Sequence, residues 1–485
     1  MRGDGMDIKL LFDVDFDLKV TGISTDNRLV QPGDLFVCIK GYTVDGHRFA
    51  KQAEVAGAVA IVCEQSIENI GIPQIIVADT KAELPRLAHL IFNKPTEKLN
   101  LFGLTGTNGK TTTAYILEHL LGGFEGHVGY IGTNGIRYGE VFIEPRNTTP
   151  EPLSLQQTFN NMVKAGVQNV AIEVSSHALE LHRVDYCRFK VALFTNLTPE
   201  HLDFHPTMEE YFEAKYKLFT MLTPDGYGIV NLDDEYGIQL VNRLKAAQQR
   251  FYTYAIEKDA DFRALDVRMT TSGTTFTLKS PVGQYEVKTS LLGTFNVHNA
   301  LGAMASAYAA GMPMEQIVSL IAKLSPVDGR MEIINEGQDF TVIVDYAHTP
   351  DGVEKVLEFV NDIKQSSVKV VIGCPGDRDR TKRPVIAKLS VDYADDVIFT
   401  TDDPHSEDPV DILNEMTQGM EESHYEVIVD RIKAIEAAIN KAQKNDIVLI
   451  AGRGHEKVQY WKSGNIELDD REVAKEILRK KLQIG

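Results

Sequence analysis

Short apolar runs and amphipathic segments alternate along the whole chain, and Gly-rich or polar loops separate them. The clearest apolar runs cover residues 101–105, 169–173, 191–196, 368–372 and 447–451. A run of this length, bounded by turn residues, is typical of a buried strand. The segments between the runs have the spacing of apolar positions that forms one face of a helix. This repeated order of strand and helix predicts an α/β architecture with mostly parallel sheets.

The pattern divides the chain into three expected domains, residues 1–97, 98–326 and 327–485. The linker candidates are Asn93-Lys-Pro-Thr96 and Ser325-Pro326. We expect the first domain to be a smaller α/β unit and the second to hold a P-loop-type, mostly parallel sheet. The third domain is expected to be Rossmann-like, because its strands alternate with helices throughout.

Some local elements are less regular. We predict a helix over residues 49–58, a strand over 228–231 and an Ala-rich helix over 297–310. The β-rich stretch of residues 251–290 is predicted to be antiparallel, since Thr274-Thr-Phe-Thr-Leu278 alternates polar and apolar positions.

Composition excludes several classes of function. The 485 residues include 50 Lys and Arg and 69 Asp and Glu, a formal net charge of −19. A non-specific nucleic-acid binder needs a basic surface, so we expect no nucleic-acid partner. No apolar run approaches the length of about 18 residues that a membrane span needs. Residues 1–9 do not resemble a secretory signal, and the four cysteines form no CxxC pair, so we expect a cytoplasmic protein with reduced thiols.

The strongest single motif is Gly106-Thr-Asn-Gly-Lys-Thr-Thr112, between a predicted strand and a predicted helix. Glycines allow the backbone N–H groups of such a loop to face phosphate oxygens. Lys110 would reach the terminal phosphates and Thr111 would place its hydroxyl on Mg²⁺. Five residues separate Gly103 from Gly109, one more than in the usual phosphate-loop spacing. The loop alone leaves a kinase, an ATPase, a switch and a ligase open.

Two further strands end in polar clusters. Glu173-Val-Ser-Ser-His177 follows one of them, and the segment from Asn196 to His205, with His201 and Asp203, follows the other. Parallel strands end at one edge of a sheet, so we expect these side chains beside the phosphate loop. Oxygens of Glu173 and Thr111 suit Mg²⁺, whereas His201 points to a second, more specialised site. The plain alternative is a set of capping residues at strand ends.

The third domain carries its chemistry in the same way. Four predicted strands end in polar loops, at residues 345–348, 373–380, 402–407 and 452–456. Ligands of open α/β sheets bind beyond the carboxyl ends of strands. We therefore expect this edge to form the other half of an active site.

Ordered motifs cover the chain nearly end to end. They are Asp26-Asn-Arg28, Gly33-Asp-Leu-Phe36, Asp45-Gly-His-Arg48, Gly106-Thr-Asn-Gly-Lys-Thr111, Asn147-Thr-Thr149, Glu173-Val-Ser-Ser-His177, Asn196 with His201-Leu-Asp203-Phe-His205, Ala214-Lys215, Gly293-Thr-Phe-Asn296-Val-His-Asn299, Gly329-Arg330, Asp345-Tyr-Ala-His348, Gly376-Asp-Arg-Asp379, Lys382-Arg-Pro384 and Gly452-Arg-Gly-His-Glu456. Together they resemble the Mur ligase family, which builds the peptide stem of peptidoglycan. Within the family, the first-domain motifs are most similar to those of the tripeptide synthetases.

The resemblance implies an ATP-dependent amide ligase that releases ADP and phosphate. In this family a substrate carboxylate attacks the γ-phosphate of ATP, and the amine of the incoming amino acid then attacks the acyl phosphate. The implied substrates are UDP-N-acetylmuramoyl-L-alanyl-D-glutamate and a diamino acid. We expect the enzyme to act as a monomer.

The resemblance also assigns roles to residues. Lys110, Glu173, His201 and Lys215 are the implied catalytic residues. Two Mg²⁺ ions are implied, held by Thr111, Glu173, His201 and Lys215, with Lys215 carbamylated so that it becomes an anion. The implied ATP contacts are Gly106, Thr107, Asn108, Gly109, Lys110, Thr111, Thr112, Asn299, Arg330, Asp345 and His348.

Substrate contacts are carried over in the same way. Thr25 and Asn27, with Tyr42, Thr43 and Val44, would hold the uridine end. The muramyl peptide would be held by Asn147, Thr148, Thr149, Ser175 and Arg183. Two positions depart from the family pattern, because Asn27 replaces a serine and Leu181 replaces a glutamine.

The added amino acid is the open question. Members that add meso-diaminopimelate have an Asp-Asn-Pro-Arg loop, whose arginine clamps the distal carboxylate. Here the loop reads Asp402-Asp403-Pro404-His405. A second acid suits a substrate that ends in an ammonium group, so we favour L-lysine. Arg378, Gly452 and Glu456 keep the diaminopimelate-type pattern, so meso-diaminopimelate is the alternative, and ornithine is also possible.

Three other functions explain the motifs less completely. A P-loop kinase or NTPase switch would explain the phosphate loop but not the Gly452–Glu456 loop or the first domain. A ligase that elongates a folate or poly-amino-acid tail would not explain residues 26–48. A binding module without turnover would not need Lys110, Glu173, His201 and Lys215 together.

Overall fold

The structure is a computed structural model that describes residues 5–41, 44–144, 146–201, 204–270, 273–421 and 425–484. It confirms the expected α/β class with three sheet-based units and large, mostly parallel sheets. The expected contacts of Tyr42 and Thr43 lie outside the described residues. None of the described helices is long and apolar enough to cross a membrane.

The N-terminal unit contains strands β1 Met6–Asp7, β2 Lys19–Val20, β3 Gly22–Ser24, β4 Asp34–Val37, β5 Ala60–Cys63 and β6 Gln74–Ile76, and helices α1 Ala50–Val55 and α2 Thr80–Ile91. Strands β3 to β6 form a four-stranded parallel sheet in chain order, and β1 pairs antiparallel with β2. The short 3₁₀ helices are Ile8–Leu10, Gly46–Phe49 and Pro95–Glu97. Asp79 begins α2 by accepting hydrogen bonds from the N–H groups of Lys81 and Ala82.

The central unit contains strands β7 Asn100–Thr105, β8 Val128–Gly132, β9 Gly135–Tyr138, β10 Val141–Ile143, β11 Asn169–Glu173, β12 Phe189–Phe194, β13 Leu222–Asn231, β14 Phe251–Ala255, β15 Phe262–Thr270, β16 Gly273–Ser280 and β17 Gly283–Thr289. Its helices are α3 Lys110–Glu125, α4 Pro152–Lys164, α5 Ser176–Glu180, α6 Met208–Thr220, α7 Glu235–Ala246, α8 Thr294–Ala309 and α9 Met314–Ile321. The eleven strands form one sheet in the order β10-β9-β8-β11-β7-β12-β13-β14-β15-β16-β17.

Strand β7 lies in the middle of this sheet and is buried on both faces. Phe102 and Leu104 pack into the core on one face, and Leu101 packs into the core on the other. Helices cover both faces, so a parallel strand can be apolar at every position. Strands β11 and β12 are the two neighbours of β7 and run parallel to it, which brings three strand ends together.

The C-terminal unit contains strands β18 Glu332–Ile334, β19 Thr341–Asp345, β20 Val368–Ile372, β21 Asp396–Phe399, β22 Glu426–Val427, β23 Ile447–Ala451, β24 Val458–Gln459 and β25 Ile466–Glu467. Its helices are α10 Pro350–Ile363, α11 Lys382–Tyr393, α12 Pro409–Thr417, α13 Arg431–Lys441 and α14 Asp470–Ile484. Six strands form a sheet in the order β18-β19-β23-β20-β21-β22, which is parallel except at β18. Strands β24 and β25 pair separately.

Some local predictions were wrong. Strand β14 pairs parallel with both β13 and β15, so among the described strands of residues 251–290 the antiparallel pairs are β15 with β16 and β16 with β17. Helix α7 supplies the crossover between β13 and β14, which an antiparallel pair would not need. Strand β13 is also longer than expected, and the predicted helix over residues 49–58 is the 3₁₀ turn Gly46–Phe49 followed by α1.

Candidate active site

The phosphate loop turns sharply from the end of β7 into α3. Gly106 and Gly109 have φ angles of 146° and 85°, in the region that favours glycine. A Cβ atom at Gly106 would lie 1.8 Å from Thr195 Oγ1, and one at Gly109 would lie 2.3 Å from Asn299 Oδ1. The loop therefore packs directly on the residue after β12 and on α8, and larger residues do not fit. Its position at the N-terminus of α3 suits an anion.

Asn108 connects the phosphate loop to two units. Its N–H donates to Asn196 Oδ1 at 2.9 Å, and its carbonyl accepts from Thr195 Oγ1 at 2.7 Å. Its side-chain Nδ2 donates to Asp351 Oδ2 at 2.8 Å. Asp351 stands in the first turn of α10, so this bond places the C-terminal unit directly against the loop.

Two lysine amines from distant parts of the sequence contact the same carbonyl of the loop. Lys110 Nζ donates to the carbonyls of Gly106 and Thr107 at 2.9 and 2.8 Å. Lys215 Nζ, on α6, donates to the same Gly106 carbonyl at 2.9 Å and lies 4.4 Å from the centre of the Tyr211 ring. Burial, and then the charge of Lys110, hold the pKa of Lys215 well below its ordinary value. Burial also lowers the pKa of Lys110.

Glu173, the last residue of β11, is completely buried yet surrounded by donors. Its Oε1 accepts from Tyr130 Oη at 2.6 Å and from the N–H of Thr133 at 3.1 Å. Its Oε2 accepts from Thr111 Oγ1 at 2.9 Å and from Thr133 Oγ1 at 3.3 Å. The structure therefore brings the two expected metal ligands Thr111 and Glu173 into direct contact.

His201 lies further out, at the rim of the same edge. Its ring meets the His177 ring edge-on at 4.8 Å between centroids and the Tyr211 ring at 6.3 Å. The side chain of His201 is 45% exposed. Tyr211 thus lies between His201 and Lys215, and Asp203 lies outside the described residues.

Several residues expected to contact the muramyl peptide surround the end of β11. Thr149 Oγ1 donates to the Glu173 carbonyl at 2.8 Å and accepts from the N–H of Ser175 at 3.1 Å. Arg183 Nη1 donates to the Thr149 carbonyl at 3.1 Å. Thr148 Oγ1 lies 3.1 Å from Thr133 Oγ1, so it belongs to the same hydrogen-bonded group.

The other expected sugar-nucleotide contacts lie at the surface. Asn147 is exposed, and its Nδ2 donates to Glu151 Oε1 at 3.5 Å. In the N-terminal unit, Thr25 and Asn27 are half-buried, and Asn27 Nδ2 donates to Gln52 Oε1 at 2.8 Å.

A cavity of about 460 Å³ opens between the phosphate loop and the strand ends of the C-terminal unit. Asn299, Arg330, Asp345 and His348 line it, as does Tyr346. The Arg330 guanidinium lies 4.3 Å from the centre of the Tyr346 ring. Burial lowers the pKa of His348 to about 4, so this imidazole is neutral near pH 7. A cavity of this size can take a nucleoside or another small ligand.

Three carboxyl groups meet beyond this cavity. Asp402 is 5% exposed, and its Oδ2 has no hydrogen-bond partner among the described residues. A Cβ at Gly452 would lie 2.5 Å from that oxygen, so glycine keeps the space in front of it open. Asp403 Oδ1 accepts from the buried Arg453 at 3.3 Å. Burial, then the charges of Asp402 and Asp403, raise the pKa of Glu456 to about 8.

The remaining two specificity candidates lie at the edge of this acidic group. The His405 ring stacks on Tyr460 with 5.8 Å between centroids. Arg378 is exposed, and its Nη1 donates to the Asp377 carbonyl at 3.1 Å. Asp377 in turn accepts from Ser406 Oγ at 2.6 Å, which ties the two loops together.

The donor set at the phosphate loop suits Mg²⁺. The described residues contain no group of three or more His, Cys, Asp and Glu that could hold a metal ion. Thr111 Oγ1 and Glu173 Oε2 nevertheless offer two neighbouring oxygens, and Mg²⁺ prefers oxygen ligands, keeps waters and shares phosphate oxygens.

Comparison with known proteins gives the family. The Mur ligase family, catalytic domain, matches residues 19–91, the Mur ligase middle domain matches residues 104–307, and the Mur ligase, glutamate ligase domain, matches residues 329–454. A Bacillus cereus protein named UDP-N-acetylmuramoyl-L-alanyl-D-glutamate–2,6-diaminopimelate ligase is 45% identical over 470 residues, 96% of this chain and 95% of its own. The chain belongs to the Mur ligase family.

Solved structures agree with this Mur ligase assignment. A structure of a UDP-N-acetylmuramoyl-L-alanyl-D-glutamate–2,6-diaminopimelate ligase is 30% identical and covers 99% of both chains, with a TM-score of 0.73. The MurF ligase of Thermotoga maritima in complex with ADP shares the fold at 17% identity, with a TM-score of 0.65 and coverage of 95% of this chain and 98% of its own. The expected enzyme class is confirmed: as a Mur ligase, the protein is an ATP-dependent ligase that forms a C–N bond, and the kinase and switch interpretations are wrong.

The sequence motifs of this Mur ligase did not reveal every side chain of the site. Tyr130 and Thr133 hold Glu173, although neither belongs to a motif. Asp351, three residues beyond His348, accepts a hydrogen bond from Asn108. Arg453 is buried in the Gly452–Glu456 loop, and the motif assigns no role to it. A buried tyrosine or a first-turn aspartate has no sequence signal of its own, because only the folded chain shows what it contacts.

Glu456 predicts a pH effect on stability. Between pH 5 and 8 the carboxyl is ionised in the unfolded chain but mostly protonated in the folded protein, so the free energy of unfolding falls as pH rises. The E456Q variant has no carboxyl at this position and lacks this pH-dependent loss of stability. We expect its stability relative to wild type to increase from pH 5 to pH 8, measured by urea unfolding without ligands.

The matched control is E436Q, at an exposed glutamate on α13. Its stability difference from wild type should not change over this pH interval. A stability difference for E456Q that is equally constant would contradict the raised pKa of Glu456.

Proposed function

We propose that this Mur ligase joins a 2,6-diamino acid to the D-glutamate carboxyl of UDP-N-acetylmuramoyl-L-alanyl-D-glutamate. The contact that carries the proposal is Asn108 to Asp351, because it sets the phosphate loop opposite the cavity and the acidic group of the C-terminal unit. A nucleotide on the loop and an amino acid at Asp402 would then face each other. The substrate named for the relatives supports the same reaction.

The reaction needs two chemical steps. The D-glutamate carboxylate attacks the γ-phosphorus, the bond to the β–γ bridging oxygen breaks, and ADP leaves. The neutral amine of the amino acid then attacks the acyl carbon, phosphate leaves, and the amine loses a proton. Both the carboxylate and the triphosphate are anions, so cations must lie between them. Lys110 is the cation that the phosphate loop itself supplies, and positioning contributes much of the remaining rate.

Mg²⁺ is proposed at this point to neutralise the phosphates. Thr111 Oγ1 and Glu173 Oε2 would hold one ion, and His201 with Lys215 as its carbamate would hold a second. We further propose that Asn299, Arg330, Asp345 and His348 bind ATP within the cavity. The residues around Thr149 would hold the muramyl peptide, and Thr25 with Asn27 would hold its uridine end.

The buried position of Lys215 supports carbamylation. Its pKa is lowered by burial and by Lys110, so the amine is readily neutral, and only a neutral amine adds to CO₂. The addition forms an N–C bond and releases one proton, which converts a buried cation into an anion. The anion would attract Lys110 at the Gly106 carbonyl, whereas the cation repels it.

Comparison with relatives supports meso-diaminopimelate, the alternative of the sequence analysis, better than L-lysine, which the sequence favoured. The first proposal for the added amino acid is therefore meso-diaminopimelate. L-Lysine stays as the second candidate on one observation. Asp403 and His405 stand where the diaminopimelate-type loop has Asn and Arg, so this loop has one more acid and lacks the arginine.

The four free cysteines are all buried, which supports the proposed cytoplasmic location. The monomeric state stays a prediction.

ADP release tests the function directly. With UDP-N-acetylmuramoyl-L-alanyl-D-glutamate, ATP and Mg²⁺, we expect turnover only after a diamino acid is added, and faster turnover with meso-diaminopimelate than with L-lysine at equal concentration. Lysine-dependent turnover alone would support the second candidate. ATP hydrolysis that ignores both amino acids would contradict the ligase proposal.

A second test concerns the carbamate. The K215A variant should lose at least 100-fold in kcat, and short carboxylates such as formate or acetate should restore part of it by replacing the lost anion. Lys217 lies two residues along α6, its side chain is 41% exposed, and it pairs with Glu180 at 2.6 Å. K217A is therefore the matched control and should keep near wild-type activity. Near wild-type activity of K215A would exclude the carbamate role.

The pocket variant D403N/H405R tests the source of specificity. A guanidinium near the pocket binds a distal carboxylate, while removal of one acid weakens binding of a distal ammonium. We expect the ratio of kcat/KM for meso-diaminopimelate over that for L-lysine to rise about 10-fold. The single variant D403N separates the two contributions, and thermal unfolding checks that the loss of the Arg453 partner leaves the protein folded. An unchanged ratio would show that other residues select the amino acid.

A further inference from the structure

Tyr130 is a buried polar side chain that the proposed mechanism does not use. It lies in the middle of β8 and is completely buried. If Tyr130 were merely structural, its role would be to fill the core between β8 and α3. Its hydroxyl, however, points at the carboxylate of Glu173, at 2.6 Å from Oε1.

We propose that Tyr130 is a positioning residue that holds Oε1 of Glu173 and so directs Oε2 toward Thr111 and the metal. The inference rests on the proposed metal role of Glu173. It adds the reason why one oxygen of that carboxylate, and not the other, faces the phosphate loop.

The two oxygens of Glu173 have different surroundings. Oε1 accepts from Tyr130 Oη and from the N–H of Thr133, and both donors belong to β8 and the turn that follows it. Oε2 accepts from two hydroxyls, Thr111 Oγ1 at the start of α3 and, at the longer distance of 3.3 Å, Thr133 Oγ1. A backbone N–H and a buried phenol cannot move away easily, whereas threonine hydroxyls can rotate. Oε1 is thus the anchored oxygen, and Oε2 is the one that can exchange its partner for a metal ion.

The Tyr130 ring is itself clamped. The Arg137 guanidinium lies 4.0 Å from the ring centre, and its Nη1 donates to the Asn134 carbonyl at 2.8 Å. The same guanidinium pairs with Glu118, on α3, at 2.5 Å. Since α3 begins at the phosphate loop, the clamp ties the ring to the same helix that carries Thr111. The ring position is therefore set by both the strand and the helix.

Gly132 packs closely against both Glu173 and Tyr130. A Cβ at this position would lie 2.2 Å from Glu173 Oε1 and 2.4 Å from Tyr130 Oη. The backbone of β8 thus passes close beside the hydrogen bond, and even an alanine side chain would displace one of its atoms. Burial also keeps the phenol protonated, because it raises the pKa of Tyr130 well above its ordinary value.

Anchoring has a measurable consequence. A metal ligand that is already held in its binding orientation loses less freedom when the ion arrives, and removal of such an outer partner typically weakens metal binding about 10- to 100-fold. A merely structural tyrosine would change the unfolding temperature and leave the metal affinity of the folded protein unchanged.

The test is the Y130F variant, which keeps the ring and removes the hydroxyl. Mn²⁺ binding to the full-length protein with ADP, followed by electron paramagnetic resonance, should weaken about 10-fold. The Mg²⁺ concentration for half-maximal ligase activity should rise by a similar factor. KM for the UDP-linked substrate should stay within about twofold of wild type, and saturating Mg²⁺ should restore most of kcat.

Y285F is the matched control, since Tyr285 also donates its hydroxyl to a glutamate, Glu315, at 2.9 Å on the surface. It should bind Mn²⁺ as wild type does. If Y130F fails to fold, R137Q loosens the same ring while leaving the phenol in place, and a few-fold weaker Mn²⁺ affinity is expected.

The outcomes separate this inference from the proposed function. Unchanged Mn²⁺ affinity in folded Y130F, or in R137Q where Y130F does not fold, overturns the positioning role of Tyr130. The E173Q variant is measured in parallel. Unchanged Mn²⁺ affinity in E173Q would instead overturn the metal role of Glu173, on which the inference rests.

Discussion

The close packing of the phosphate loop against the ends of its neighbouring strands is the constraint on which the rest of the site depends. No side chain fits at Gly106, because its Cβ would lie 1.8 Å from Thr195 Oγ1. The tight turn exposes the Gly106 carbonyl to two lysines and directs the start of α3 toward Glu173. Lys110 and Thr111 are the first two residues of α3, so a looser turn would displace both of them.

Charge is distributed in two contrasting groups. Near the phosphate loop, two buried lysine amines meet one carbonyl oxygen, and burial favours their neutral forms. Beyond the cavity, Asp403 accepts from the buried Arg453, and burial together with the charges of Asp402 and Asp403 raises the pKa of Glu456 to about 8. In both groups burial shifts the pKa toward the neutral form, because an unpaired buried charge is costly.

Contact between the units makes these groups one site. The bond from Asn108 to Asp351 joins the central sheet to α10, and the cavity lies between them. Such contacts are absent from any single motif, because their partners are more than 240 residues apart in the chain. The same holds for the carboxylate of Glu173, whose orientation depends on Thr111 at the start of α3 and on Tyr130 and Thr133 in β8 and its following turn.

The sequence by itself determined the α/β class, the phosphate loop, the strand-end motifs and the family, because strand and helix periodicity and short loops are local properties. It did not determine that β14 runs parallel to both neighbours, since polar–apolar alternation reports burial on one face and not strand direction. The sequence of the loop Asp402-Asp403-Pro404-His405 also did not decide which amino acid is added, because the selectivity of a loop depends on the residues that surround it. Only the tertiary structure brought Glu456 and Arg453 beside that loop and Tyr130 beside Glu173, since packing of distant segments sets burial, pKa values and hydrogen-bond partners.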